Sequence, residues 1–452
     1  MTKSLKSLWA RFLFQDSGIL PTKRLILLFL ILTVALLIGT GWGISWGYVI
    51  LSNIVVLIVS LLDLLFSPKK GQLSFQRTMG DELERGITYP VKIVVRNSSA
   101  QSFTYRIFDG IPRSFARPFP LIGTIPKETV MEHSYDTVAK ERGKFEFDKL
   151  YFRYTSFLGL WEKQTTAEMK ETVKVIPDLT ETKRYLKNAQ QFLTYEGLKI
   201  RRHRSGVGDF SKIRSYVVGD DPRKINWRQT AKQQEVMTNE YEPEHGKYIT
   251  ILLDCGRMMG AELKKGNRLE KSLEAALTVA AAALQKGDYV SVLAFSKKIK
   301  VFVPPAKGLA HLQTILQAIY DVRVDAAESN YASVLQYLEL VQKKRSLLLL
   351  FSDIRTFLHE ESAFMLLQRL RKKHLFFMIG IEDQTISKRI NEMPNTVHAA
   401  MVKSIAQQQL LIKKREKKKW EKQGLQMIEA REERLAIAAV SHYIDIMNQN
   451  LL

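Results

Sequence analysis

The chain has 452 residues, 46% of them hydrophobic, and a formal net charge of +22. That length holds two or three domains, and the positive balance admits three kinds of partner: nucleic acid, the anionic face of a membrane, or an acidic protein. A single cysteine, Cys255, excludes an intrachain disulfide framework and a thiolate metal cage.

Residues 1–70 read as a membrane anchor. Two apolar runs, 25–43 and 44–66, are each about long enough to cross a bilayer. No small-residue cleavage site with a polar mature start follows the first run, so a cleaved signal peptide is disfavoured. The uncharged link between the runs carries Trp42 and Trp46, which suit a lipid–water boundary. Lys3, Lys6, Arg11, Lys23 and Arg24 precede the first run, and Lys69 and Lys70 follow the second. Positive flanks at both ends predict a multi-pass protein of the cell membrane with both termini in the cytoplasm. Asp63, near the inner end of the second run, is expected to snorkel to the interface.

Residues 71–178 change pattern. Segments 86–96, 103–108, 130–137, 145–154 and 172–176 alternate as short strands, punctuated by Pro112, Pro118, Pro120, Pro126 and Gly143. This spacing predicts a β-sandwich-like domain. It shows no acid pair, histidine cluster or glycine-rich phosphate loop, so it reads as structural or partner-binding.

Residues 179–247 form a linker with one helix, 183–192, then the basic run 199–204 and a polar stretch rich in Arg and Asp. Aromatics do not alternate with the basic residues, which disfavours nucleic acid. Asp221 and Pro222 make a good N-cap and first helical residue, predicting one helix through Arg223, Ile225, Trp227 and Ala231. Ile225 and Trp227, two apart, cannot share a helical face. Arg214, Asp220 and Arg223 are placed for a polar network, with a structural role weighed above substrate binding.

Residues 248–452 alternate strand and helix. Strands are expected at 248–254, 289–295, 299–303, 346–353, 374–381 and 425–428, the third antiparallel. Helices are expected at 268–286, 309–320, 332–342, 361–372, 396–423 and 432–447. The pattern predicts a doubly wound α/β domain whose first strand delivers Asp254 to the carboxyl edge. The Lys-rich run 413–419 reads as a solvated helix face.

Gly208-Asp209-Phe210, Arg214, Tyr216, Gly219, Asp220, Arg223, Ile225 and Trp227, followed by an apolar strand ending in Asp254, carry a family likeness. Their order and spacing resemble the core motif of the bacterial and archaeal family catalogued as domain of unknown function fifty-eight. The resemblance implies a von Willebrand factor A-like α/β domain. It also implies work alongside a MoxR-type AAA+ ATPase on client proteins.

In the A-domain pattern a metal loop runs Asp-x-Ser-x-Ser, with a hydroxyl and an Asp from two further loops; Mg²⁺ requires such oxygens. Here Gly256 and Met258 stand at the serine positions, while Asp254, Ser329 (or Asn330) and Asp353 remain. The resemblance therefore implies a degenerate site: no cofactor is expected, a bound Mg²⁺ is the minority alternative, and Arg257 could neutralise the acids instead. The function expected is a membrane-anchored adaptor with the lipid bilayer, an AAA+ ATPase and a client protein as partners. The alternatives are a metal-dependent hydrolase at Asp254 and Asp353, or a basic lipid-surface or nucleic-acid binder. The enzyme reading lacks a nucleophile–base pair, and His203, His245 and His374 are scattered.

Overall fold

A short strand, β1 (Ile19–Pro21), leads through Thr22 into helix α1 (Lys23–Thr40), and the Thr22 side chain caps that helix by accepting from the Leu25 amide. Ser45 caps the next helix, α2 (Trp46–Phe66), in the same way. The computed structural model describes residues 18–43, 45–196, 209–242, 246–358 and 360–449. Lys3, Lys6, Arg11, Ile44, the basic run 199–204, His203, Gly208 and His245 lie outside them. The chain divides into two units, Met1–Ile176 and Pro177–Leu452.

In the first unit, α1 and α2 run about 27 and about 32 Å at 1.5 Å per residue, against roughly 30 Å of bilayer hydrocarbon. Both are long and apolar enough to cross a membrane, and their leucines, isoleucines and valines are largely exposed. Thr33 donates to Asn53 Oδ1 at 3.1 Å, a polar tie between the two helices.

Eight further strands follow: β2 (Leu73–Thr78), β3 (Glu82–Glu84), β4 (Thr88–Asn97), β5 (Phe103–Asp109), β6 (Leu121–Ile125), β7 (Val130–Val138), β8 (Gly143–Thr155) and β9 (Trp161–Ile176). One sheet has the order β1-β9-β8-β5-β6, with β3 also paired to β9; the other is β2-β4-β7. Alternation explains the core: Val91, Ile93 and Val95 of β4 point inward and meet Phe103, Ile107, Phe147 and Phe152 from the other sheet. Inside it, Arg77 pairs with Asp109, which also accepts from Tyr135 Oη at 2.7 Å.

Asp63 does not snorkel. It is buried, accepts from Ser156 Oγ and from the amides of Leu158 at 2.7 Å and Leu160 at 3.3 Å, and so holds the β8–β9 corner. The corner is its partner because three donors converge there, which water at an interface would supply less well. Around it, Trp161 Nε1 donates to Ser60 O, Lys163 Nζ to Leu64 O, and Tyr154 Oη to Pro68 O.

The second unit opens with α3 (Thr180–Glu196) and a two-stranded ladder, β10 (Asp209–Ser215) with β11 (Met237–Glu242), between which lies the short helix α4 (Trp227–Gln233). The α/β part then runs β12 (Tyr248–Asp254), α5 (Arg268–Gln285), β13 (Tyr289–Phe295), β14 (Ile299–Ala306), α6 (Ala310–Ile319), α7 (Tyr331–Val341), β15 (Ser346–Phe351), α8 (Ile354–Leu358), α9 (Glu361–Arg371), β16 (Leu375–Ile381), α10 (Gln384–Asn391), α11 (Val397–Lys422), β17 (Gln426–Ala430) and α12 (Leu435–Asn448). The sheet order is β14-β13-β12-β15-β16-β17, parallel except for edge strand β14. Counted within the sheet this is 3-2-1-4-5-6, the doubly wound order, and it reverses between β12 and β15. One face is covered by α7, α9 and Trp420 of α11 through a core of Leu252, Leu348, Leu350 and Met378.

Candidate functional site

Parallel strands bring their carboxyl ends to one edge, and ligands in such sheets favour the crevice where the order reverses. At that point Asp254 leaves β12, and Ser352 and Asp353 leave β15. Asp254 is buried and accepts from Ser329 Oγ, the Gly256 amide at 2.8 Å, Tyr331 Oη at 2.8 Å and Ser352 Oγ. Burial first, and the Asp254 carboxylate next, push the Tyr331 phenol well above its ordinary range, so it stays a donor. Asp353 accepts from Arg268 and from Thr356, whose amide and hydroxyl lie at 3.2 and 2.9 Å. Arg268 is itself buried and reaches toward Asp383 at 3.8 Å.

In this arrangement the acids are engaged by the protein's own donors. Both Asp254 oxygens face hydroxyl and amide donors, and a guanidinium already occupies Asp353. Among the described residues no group of three or more His, Cys, Asp or Glu side chains comes together. The expected loop residues are placed as follows. Ser329 meets Asp254, while Asn330 caps α7 by accepting from the Ser333 amide. Arg257 does not neutralise the acids: it is exposed and pairs with Glu328 at 3.0 Å. The buried cation at the edge is Arg268, at the start of α5 and therefore remote in sequence. A side chain at Gly256 would drive Cβ into Ser329 Oγ, so the glycine is what lets Ser329 reach Asp254. Cys255 is buried, as a small residue in that position should be.

The sequence reading missed Tyr331, Ser352, Arg268 and Thr356, and also Asp325. Ser296 Oγ donates to Asp325 at 2.7 Å, and that bond, the Ala327 amide and Lys300 hold its carboxyl down at about 2. A polar residue directly after an apolar strand was the available signal for Ser296 and Ser352. His374 lies at the entry to β16, on the opposite edge from the acids.

The core-motif residues gather on the β10–β11 ladder. Arg214 grips Asp220 with two bonds of 2.8 Å, and Asp220 also accepts from the Val217 amide at 3.0 Å. Tyr216 Oη donates to the Asp220 carbonyl at 3.1 Å. The Arg214 bond, then the Val217 amide, lower the Asp220 carboxyl below its usual range. Gly219 has φ +110°, a conformation that favours glycine and closes this turn. Arg223 takes no part in the pair: its side chain is exposed, and Glu240, at 3.7 Å from Arg214, is the additional acid.

The single helix expected through Arg223 and Trp227 is two pieces. Asp221 caps one 3₁₀ turn, Pro222–Lys224. The Asn226 amide then goes to Met237 O on β11, and Asn226 Oδ1 caps α4. The break frees Ile225 to bridge Thr238 and leaves Trp227 facing outward. Val217, Val218 and Trp227 are 61%, 97% and 69% exposed. A bidentate ion pair thus stiffens a loop that holds apolar side chains in solvent.

A protein with a doubly wound unit and a braced hairpin before its first strand is what the geometry defines. The family model described as "Protein of unknown function DUF58" matches residues 212–429, from β10 through β17. An uncharacterized protein of Bacillus subtilis (strain 168), YeaD, is 25% identical over 205 residues, 45% of this chain. The chain matches about half, 49%, of that curated relative's length. Among solved structures, a FixG-related protein from Vibrio parahaemolyticus aligns over 22% of this chain and 96% of its own, at 9% identity and TM-score 0.17. A CARDB domain from Pyrococcus furiosus aligns over 24% and 94%, at 9% identity and TM-score 0.17.

Proposed function

We propose that this chain is a membrane-anchored, cytoplasm-facing interaction protein and that the hairpin 209–242 is its docking element. The observation that supports this most is the pairing of rigidity with exposure. Asp220 ties down the turn, and the side chains the turn carries, Val217 and Val218, are left in water with Trp227 beside them in the same hairpin. Exposed apolar residues on a stiff loop, with Trp among them, are what a partner's pocket takes up at low ordering cost. Exposed Arg223, Arg228 and Lys232 give the surroundings a positive sign, which favours an acidic partner. The resemblance suggests a MoxR-type AAA+ ATPase, with the chain delivering or remodelling client proteins. No step of this reading needs a cation at Asp254 or Asp353.

The test compares two variants of the full chain in membranes. Val218→Asp should lose crosslinked recovery of the partner while melting like the parent, because the residue is 97% exposed. Asp220→Ala should lose recovery and also loosen the hairpin. Recovery unchanged in Val218→Asp, with Trp227→Ala also unaffected, contradicts the docking role.

A further inference from the structure

The long helix α11 carries an apolar stripe that none of the described residues of its unit covers. Val397, Met401 and Ile405 follow one another at four-residue spacing, Leu411 and Ile412 continue the outer face, and Met393 lies just ahead of the helix. All six are exposed, whereas Ala406 and Trp420 mark the buried face. The last turns of the same outer face are cationic: Lys414, Arg415, Lys418 and Lys419 are exposed. Lys413, in contrast, turns inward to Glu429. Over its length α11 has seven lysines and one arginine against two glutamates.

We propose that this outer face of α11 lies on an anionic lipid surface, with the apolar turns entering the headgroup boundary and the cationic turns lying against phosphate. Three observations favour lipid over a protein groove. The exposed apolar residues of the helix, Val397 to Ile412, all fall on one side of it. The cations flank the apolar turns at one end rather than interrupting them. The chain also bears two helices able to cross a bilayer, so membrane is held near this unit by covalent linkage. Each basic residue near an anionic surface adds to the attraction, and that attraction fades within a Debye length. The inference rests on the membrane reading of α1 and α2, not on the docking role of the hairpin.

The test uses the full chain reconstituted in nanodiscs of phosphatidylcholine with or without phosphatidylglycerol. Cys255 is fully buried, so Met401→Cys can be labelled selectively with an environment-sensitive fluorophore. A label at Lys343→Cys, on an exposed loop, is the control. Recovery of the chain with the disc reports the anchor; the emission reports the helix, so the two can fail separately. The expected result is a blue shift at position 401 and quenching by spin-labelled lipid, only with phosphatidylglycerol. It should be lost at about 1 M salt, where screening shortens to about 3 Å, and lost in the Lys414, Arg415, Lys418, Lys419→Gln variant. Emission at 401 matching that at 343 in anionic discs overturns the proposal. A shift that needs added cytosolic protein and ignores lipid charge also overturns it, assigning the face to a protein.

Discussion

Arg268 and Gly256 decide what the sheet edge holds. Arg268 is a buried guanidinium whose main partner is Asp353, and removing one side of such a pair costs about 3–5 kcal/mol. Arg268→Ala should therefore lower the melting temperature of the second unit markedly, and melting indistinguishable from the parent would contradict the role given to it. Mg²⁺ should leave the parent's melting temperature where it is, since only a ligand of the native state raises it. Gly256→Ser should not build a metal loop. It drives Cβ into Ser329 and loosens Asp254, a crowding that costs about 1–3 kcal/mol. Calorimetry with and without Mg²⁺ on the parent and both variants checks these together; tight Mg²⁺ binding by the parent would reverse this reading of the edge. Asp254 could be picked out from the chain because it ends an apolar strand, whereas Ser329 and Asp353 were pointed to by the A-domain resemblance. Arg268 could not, since its partner is 85 residues away and an arginine opening a helix carries no local sign of burial.

At the level of elements, the β15–β16 pair contains a pH-sensitive contact. His374 is buried beside Ser346, with Nδ1 2.9 Å from Oγ, and burial, with Lys373 and Arg345 nearby, lowers its pKa to about 4. A folded-state value below the unfolded one, about 6.5, means that the unfolded chain binds the proton first. Stability from this group is full above about pH 6.5 and is lost as pH falls toward 4, on the order of 3 kcal/mol. His374→Gln should flatten that window in thermal melts, and an equally steep fall in the variant would assign the acid sensitivity elsewhere. The β8–β9 corner makes a second prediction. Asp63→Ala strands the Leu158 and Leu160 amides, so chymotrypsin should cut faster at exposed Phe157 in the reconstituted chain. An unchanged cutting rate would mean that the corner is held by its own turn. The strands with clean alternation, such as Thr88–Asn97, were legible, whereas Ile19–Pro21 and Glu82–Glu84 are three residues each and owe their form to β9. The broken helix at Ile225–Asn226 was half legible: the two-residue spacing of Ile225 and Trp227 showed a conflict, and the bond from Asn226 to Met237 on a later strand resolves it.

The whole molecule comprises a first unit, with two helices long and apolar enough to cross a membrane and a β-rich part, and a doubly wound second unit with a braced hairpin. The apolar runs and the strand–helix alternation were legible because they repeat over many residues. The exposure of Val218 and Trp227 was not, because it depends on where Asp220 and Asn226 anchor the chain. The basic flanks of α1 and α2 predict that labels added outside intact cells miss residues beyond Lys70; labelling there would place both units on the other side. The central claim, that the braced hairpin is where a partner docks, is tested most directly by a photo-crosslinking residue placed at Val218 in cells, with Lys343 as control. The account predicts a discrete protein adduct at position 218 that is absent at 343 and disappears when Asp220→Ala is added. Matching patterns at the two positions, or an adduct at 218 indifferent to Asp220→Ala, would contradict it.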